Sequence, residues 1–415
     1  MQQPFPLPCA KEINVSRAFK FRFSLMMFLE YAVPGSIVPI LSLYLKNYLH
    51  FEPNQVGRIL AMPALAAIVT PFLSAHIADR FISAKRMLAL CHLFGGTLML
   101  VLSRQTGFWP FLLLYFGYGL LFTPTFGLTN TVTLHHVADA KRDFGGIRMW
   151  GTAGWVVVAW GFGLGWLRIA GADRLRDALV LCVFAAFLLA AYALTLPRAR
   201  VHTEKPKTLA YWESLKVFAR PGLALLCVLT FVNSVVHMFF YYGMGPFLSQ
   251  IGLPNSLIMP VMSIGQVSEV IVLGLLGAFL GKLGMKAVLA LGAFAQVVRH
   301  VLFAYAQNTV GILAGIALHG FCYAFWFTAA YLYVDQHSTR KTRAGAQQLF
   351  TIIINGIGSY AGYRCAGLVA QHAAAGDTGH LDFTRFWLAP LIMSVAVTLT
   401  TVLFFKEEPP APTEG

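Results

Sequence analysis

Long apolar runs broken by short polar, Gly- or Pro-bearing stretches recur along the whole chain. A helix needs about 20 predominantly apolar residues to cross the hydrocarbon core of a bilayer, and the runs reach that length repeatedly. They predict membrane-spanning helices at 23–46, 55–78, 87–104, 109–135, 147–168, 178–197, 222–249, 256–281, 286–306, 310–334, 345–371 and 384–405. All connections but one are short. The exception, LPRARVHTEKPKTLAYWESLKVFARPG, is polar, basic and bracketed by prolines. It reads as a linker at 198–221 between a six-helix half at 1–197 and a second at 222–415. The expected fold class is an all-α polytopic membrane protein with twelve transmembrane helices in two pseudo-symmetric halves.

Composition agrees: 57% of residues are hydrophobic and 12% charged, where soluble domains carry roughly 25% charged residues. The net charge of +14 would suggest nucleic acid in a soluble protein. Here the basic residues cluster in the short connections. With the N-terminus placed on one side, that side carries 21 Lys and Arg and the opposite side 6. The bias predicts that both termini and the linker are cytoplasmic, and no nucleic-acid partner is expected. The N-terminal tail MQQPFPLPCAKEINVSRAFKFR is polar and basic, and its apolar continuation is long enough to stay as a span.

Several kinds of chemistry are not expected. The six cysteines lack metal or redox spacing and read as small buried hydrophobes. His135 and His136 have no further ligands at metal spacing. There is no Gly-rich phosphate loop after a strand and no nucleophile–base arrangement. Neither an enzyme nor a metal or cofactor is expected, so energy for any transport must come from a gradient. The halves also share a pattern: AHIADRFISAKRMLAL follows span two and GAFLGKLGMKAVLAL follows span eight, roughly 200 residues later. Such internal repeats mark secondary transporters with a site near the midplane between the halves.

The twelve spans, the central loop and ADRFISAKR together resemble the major facilitator superfamily. Ala75 stands where the usual loop pattern has Gly, while Asp79, Arg80, Lys85 and Arg86 are kept. MMFLEY, ADRFISAK, PTFGLTN, RDFGGIRMWGTAGW, GQVSE, AYLYVD and GIGSYAGYR, in that order over nearly the whole chain, are similar to one branch: the bacterial nucleoside permeases that act as nucleoside–proton symporters. The resemblance implies nucleoside and protons as partners, the lipid bilayer of the bacterial inner membrane as the location, and a monomer.

A charge at the centre of a membrane helix costs roughly 2.5–3.5 kcal/mol on insertion scales and tends to face the bundle interior. Arg148, Thr152 and Trp155, at i, i+4 and i+7, share one helix face. The resemblance turns that face toward the nucleoside; an anchor at the cytoplasmic edge is the alternative for Arg148. Gln266 and Glu269 share a face of span eight and offer the donors and acceptors that ribose hydroxyls and base edges match. A hydrogen-bonded clasp between helices is the alternative there. In span seven Asn233, His237 and Tyr241 recur every four residues, and in span ten His319, Tyr323 and Phe327 do the same.

Candidate substrate contacts are therefore Arg148, Thr152, Trp155, His237, Tyr241, Gln266, Glu269, Tyr323 and Phe327. Relatives carry an aspartate where this chain has Ala324, which leaves Glu269 and Glu30 as the buried acids and the candidates for proton coupling. A helix break at Pro34 and Gly35 is expected to let Glu30 hydrate; a structural hydrogen bond is the alternative. Asp79, Arg80, Asp335 and Arg364 are expected to serve as gating or structural charges, Asp335 near Arg340 and Arg343, and Arg364 with an acid or carbonyls. Gly274, Gly277, Gly281, Gly358 and Gly362 are expected to permit close helix packing. A sugar or other small-metabolite symporter remains open as an alternative, as does an uncoupled nucleoside facilitator or binding protein, which Ala324 suggests.

Overall fold

The computed structural model describes residues 17–77, 83–137, 140–197, 208–306, 308–339, 341–374 and 380–409. Among these, only an isolated bridge between Ala374 and Leu381 departs from helix and loop. The helices are α1 (Arg17–Leu43), α2 (Pro53–Leu60), α3 (Met62–Ile77), α4 (Ala84–Leu102), α5 (Phe108–Phe122), α6 (Thr125–His136), α7 (Ala140–Trp160), α8 (Leu167–Ala170) and α9 (Asp177–Thr195). After the linker helix α10 (Thr208–Val217) come α11 (Pro221–Gln250), α12 (Asn255–Tyr305), α13 (Thr309–Ala317), α14 (His319–Cys322), α15 (Ala329–Gln336), α16 (Arg343–Thr351), α17 (Ser359–His372) and α18 (Phe383–Phe404).

Each expected span falls on helix, but several are jointed. Span two is α2 and α3, meeting at Ala61, and span four breaks between Phe122 and Thr125. π-helical segments at Gly161–Trp166, Tyr323–Thr328 and Ile352–Gly358 interrupt spans five, ten and eleven. Among the described residues nine helical stretches are long and apolar enough to cross a membrane. One of them, α12, holds both spans eight and nine, folded at Gly284, whose φ of 79° suits glycine.

Charged termini of the rods are capped by distant side chains. Lys85 donates to the carbonyls of Leu194 and Leu196, 2.9 and 2.7 Å away, where the C-terminal end of α9 concentrates partial negative charge. At the opposite polarity, Glu408 accepts from the Gly222 N–H at 2.6 Å and Glu407 from the Lys286 N–H at 2.6 Å. Both acids thereby satisfy orphan donors at helix starts.

The tightest helix pair is α1 against α7. A Cβ on Gly154 would stand 2.1 Å from the Phe28 carbonyl oxygen, and one on Gly35 would stand 2.9 Å from the Trp155 Cα. This approach fixes the neighbouring side chains of both helices relative to each other.

Hydrogen bonds that join the chain before residue 198 to the chain after 207 lie, among the described residues, at the end remote from the termini. Ser42 Oγ donates to the Tyr242 carbonyl at 2.5 Å and the Tyr242 hydroxyl to the Pro53 carbonyl at 2.8 Å. Trp160 Nε1 donates to Ser263 Oγ at 2.8 Å, and Asn255 Nδ2 to the Ala172 carbonyl at 3.1 Å. Gly57 and Gly367 face each other there, a Cβ on Gly57 falling 2.9 Å from the Gly367 Cα. The bundle is thus cross-linked at this end.

Two expectations about helix breaks and glycines fail. Around Glu30 no helix break exists: α1 runs through Pro34 and Pro39, and Glu30 is fully buried. Gly35 serves close packing against Trp155. Gly274, Gly277 and Gly281 have nothing within 4 Å of where a Cβ would be, so they mediate no close contact. Gly358 and Gly362 do, with Ser234 Cβ and Met238 Cβ each 2.8 Å from the built position.

Candidate functional site

The polar residues singled out in the sequence gather around the middle of the bundle. Glu269 lies fourteen residues into α12, about 21 Å along it at 1.5 Å per residue, and close to halfway to the fold at Gly284. It is half-buried and makes no hydrogen bond or ion pair within bonding distance among the described residues. Arg148 of α7 is the cation within electrostatic reach of it. The Arg148 guanidinium lies over the Tyr31 ring, 4.0 Å from its centroid, an arrangement that holds a cation by the ring quadrupole. Tyr31 in turn rests on Gly151, where any Cβ would come within 2.7 Å of the ring. Glycine at 151 is what lets the Tyr31–Arg148 pair form.

The α7 stripe divides its work. Trp155 packs against Gly35 of α1. Thr152 instead lines a groove of about 410 Å³ between α7 and α12, with Met149, Trp150, Val156, Val267 and Ile271 among the other walls. Helical spacing placed the three residues on one face, and the structure spreads them over its width.

Opposite stands a wall from α11, α12 and span ten. Gly265 and Gly320 bring these elements together: a Cβ on Gly265 would meet His319 Cβ at 3.0 Å, and one on Gly320 would meet Ser268 at 2.5 Å. Ser268 Oγ seals the contact by donating to the Ala317 carbonyl at 2.5 Å. His237, Tyr241, His319, Tyr323 and Phe327 form one ring cluster. His237 lies 5.0 Å from His319, 5.2 Å from Phe327, 5.5 Å from Tyr241 and 6.0 Å from Tyr323, centroid to centroid. The π-helical segment at Tyr323–Thr328 shifts the helical register, yet Tyr323 and Phe327 remain 5.6 Å apart. Gln266 sits beside the Tyr241 hydroxyl, and its carbonyl Oε1 is buried without a hydrogen-bond partner. Asn233 Nδ2 and Oδ1, His237 Nδ1 and both ring nitrogens of His319 are buried and unpartnered as well.

Unpartnered polar atoms cost roughly 1–3 kcal/mol each when buried. They concentrate on one wall, whose Tyr241 and Tyr323 lie within electrostatic reach of Glu269, and Tyr323 also of Arg148. The rings supply stacking surface, the amides and imidazoles supply donors and acceptors, and the carboxylate supplies an acceptor for hydroxyls.

The remaining expected charges separate. Asp335 pairs with Arg343 at 3.2 Å on a half-exposed surface. No acid pairs with Arg364 among the described residues. Asp79, Arg80 and Arg340 lie outside the described residues. Ala324 is fully buried in an apolar cluster with Phe325, Trp326 and Val334.

Sequence reasoning missed three things. Tyr31 as the platform under Arg148 left no periodic signal. Nor did His92, which pairs with Glu30 from 62 positions away. Arg299 is wholly buried over Phe240, 4.0 Å from that ring, beside the Cys322 thiol. A buried arginine in a span is a visible oddity, but nothing in the linear pattern said which rings would hold it.

Comparison with known proteins gives the family. The nucleoside H+ symporter family profile matches residues 17–409. An Escherichia coli K12 protein named "Putative nucleoside transporter YegT" is 30% identical over 402 residues, covering 93% of each chain. The xanthosine permease of the same strain is 28% identical over 409 residues, covering 92% of this chain and 94% of the relative. The crystal structure of nucleoside transporter NupG matches with a TM-score of 0.83 at 23% identity, covering 95% of this chain and 100% of that one, which speaks for the fold. The chain belongs to the nucleoside H+ symporter family and is a multi-pass membrane transporter of the major facilitator type.

Proposed function

We propose that this protein imports nucleosides with protons across the bacterial inner membrane, by alternating access around the site between α7, α11, α12 and span ten. The observation that carries the reading is the unpaired, half-buried Glu269 beside buried, unsatisfied Gln266, facing Arg148 and a cluster of rings. Ribose hydroxyls meet Glu269 and Gln266. The base lies among Tyr323, Phe327 and Trp155, with its edge toward His237 and Tyr241. Arg148 and Thr152 close the side formed by α7. Glu269 and Glu30 are the acids available to carry a proton.

In this reading the moving bodies are residues 1–197 and 222–415, joined by the linker at 198–221, and the protein works as a monomer. Both termini are cytoplasmic, as the excess of Lys and Arg on that side supports. The bonds between the two bodies then lie at the periplasmic end, which describes a state open to the cytoplasm. Rocking about the site breaks those bonds and exposes the same residues outward.

Purified protein in proteoliposomes tests the proposal. Labelled uridine or adenosine should exchange with unlabelled nucleoside and accumulate against a proton gradient, and its addition should alkalinise the medium outside. Free bases and sugars should compete poorly. Exchange blocked by sugars but not by nucleosides would replace nucleosides with sugars as substrate. Uptake indifferent to a protonophore would leave an uncoupled facilitator.

A further inference from the structure

Glu30, at the middle of α1, is fully buried, as are its two partners. His92 Nε2 of α4 lies 3.0 Å from Glu30 Oε2, and Thr125 Oγ1 of α6 lies 2.5 Å from Oε1. The same Thr125 oxygen is also 2.6 Å from the Phe122 carbonyl oxygen. From these contacts we infer that the transported proton is carried by the Glu30–His92 pair, with Thr125 as the hydroxyl that receives the protonated acid. The inference rests on the reading of the protein as a proton-coupled importer and assigns to Glu30 and His92 the proton that the sequence left open between Glu30 and Glu269.

The hydrogens available at this cluster decide which group holds the proton. A threonine hydroxyl has one hydrogen, yet Thr125 faces two oxygen acceptors at 2.5 and 2.6 Å. If Glu30 is ionised, one hydrogen must serve both. If Glu30 carries a proton on Oε1, each short contact receives its own: Glu30 donates to Thr125, Thr125 donates to Phe122, and His92 Nε2–H donates to Oε2. The contacts therefore fit a pair holding its proton on the acid.

Nothing nearby would compensate the pair once emptied. The titratable groups that face Glu30 are Tyr31 on α1, Cys91 on α4 and Tyr118 on α5, all ordinarily neutral. Arg148 reaches this region only as far as the Tyr31 ring. An unpaired buried carboxylate is strongly unfavourable, so proton loss must wait until water reaches the pair.

Two joints connect the pair to the rest of the transport cycle. Thr125 begins α6 just after the break that ends α5 at Phe122, so one of the acid's partners stands at a helix junction. On α1, Tyr31 directly follows Glu30 and carries the Arg148 guanidinium of the substrate wall. The step itself is simple: a proton from the periplasm forms the O–H bond on Glu30, and the same proton leaves to cytoplasmic water, one per nucleoside. No other bond changes.

The test is made on full-length protein in proteoliposomes. At one proton per nucleoside, a gradient of one pH unit sustains about ten-fold accumulation. Glu30→Gln keeps groups for Thr125 and His92 to bond but holds no exchangeable acid. It is expected to reduce accumulation to less than two-fold and abolish nucleoside-driven proton uptake, while labelled-for-unlabelled exchange remains measurable. His92→Gln should show the same split. Accumulation by Glu30→Gln within two-fold of the parent protein overturns the inference. Should both variants fail to fold, Thr125→Val keeps the pair and removes only the hydroxyl. It should move the pH of half-maximal uptake, and an unmoved profile overturns the inference equally. Absence of nucleoside exchange in the parent protein would instead overturn the proposed function, so the two failures are distinguishable.

Discussion

Gly57 and Gly367 provide the most direct handle on the transport equilibrium. They stand where α2 meets α17, at the end remote from the termini. A Cβ on Gly57 would lie 2.6 Å from the Tyr363 carbonyl oxygen, 2.9 Å from the Gly367 Cα and 3.2 Å from the Gly367 nitrogen. All three are backbone atoms, so no side chain can swing aside. Relief requires the helices to separate by roughly half an ångström, and overpacking of this kind costs about 1–3 kcal/mol. The strain exists only while the two helices touch, which in the proposed orientation is the state closed to the periplasm. Gly57→Ala should therefore shift the two-state equilibrium toward the outward-open form by about 5- to 150-fold. Spin labels on cysteines replacing the exposed Asn47 and His372 would report this as a long-distance population in a pulsed dipolar measurement. Nucleoside exchange, which needs both states, should slow. Gly277→Ala, at a position with open space around it, is the control and should change neither. A Gly57→Ala protein that stays folded and shows the parent's distance distribution would refute the idea that this contact is specific to one state.

Four further outcomes are expected. Glu269→Gln should weaken nucleoside binding by about 10- to 150-fold, the range for a hydrogen bond to a charged group at 1.5–3 kcal/mol, read as a smaller ligand-induced rise in melting temperature; an undiminished rise would remove Glu269 from the site. Gly154→Ala places a methyl 2.1 Å from the Phe28 carbonyl oxygen and should cost at least about 3 kcal/mol, seen as a large fall in melting temperature with and without ligand. Ala324→Asp puts a carboxylate into a fully buried apolar cluster and should destabilise the protein without raising the proton-to-nucleoside ratio; a raised ratio at unchanged stability would show that the cluster accommodates a working acid. Pro34→Ala restores an N–H for the Glu30 carbonyl, worth about 0.5–1.5 kcal/mol, and should raise stability while slowing exchange.

Hydrophobic periodicity located the spans because it reports how much of each helix faces lipid or protein, a property of local sequence. The joints escaped it. The breaks at Ala61 and at Thr123–Pro124, and the π-helical segment at Tyr323–Thr328, depend on which carbonyls find partners after packing. Gln266 and Glu269 were visible because a carboxylate in an apolar run is expensive wherever it ends up. Trp155 and Thr152 were legible only as members of a stripe, and the divergence of their environments followed from the close α1–α7 approach at Gly35 and Gly154. That approach needs two glycines from segments more than a hundred residues apart. Glu30 was legible as a buried acid and its partner was not: His92 stands alone among apolar residues, and only the packing of α1 on α4 says what its imidazole meets. The glycines of span eight misled for the converse reason, since small residues allow close approach without bringing a neighbour.

In the proposed cycle one helix links the proton, the substrate and the gate. Along α1, Glu30 faces His92 and Thr125, Tyr31 carries Arg148, and Ser42 bonds across to Tyr242. Pro34 lies between the first two and the third. Because proline has no N–H, the carbonyl of Glu30 lacks the helical donor four residues on, as that of Gly35 does at Pro39, so α1 has a weak point between the proton pair and the gate. A change in the charge of Glu30 acts on one side of that point, and the closure of Ser42 against Tyr242 acts on the other. α1 is seated on α7 on both sides of Pro34, at Phe28 and at Gly35, which suits motion of residues 1–197 as one body. In the proposed cycle that seat keeps Tyr31 and Arg148 in one geometry, and the energetic difference between the states falls on the bonds at the gate and on the proton.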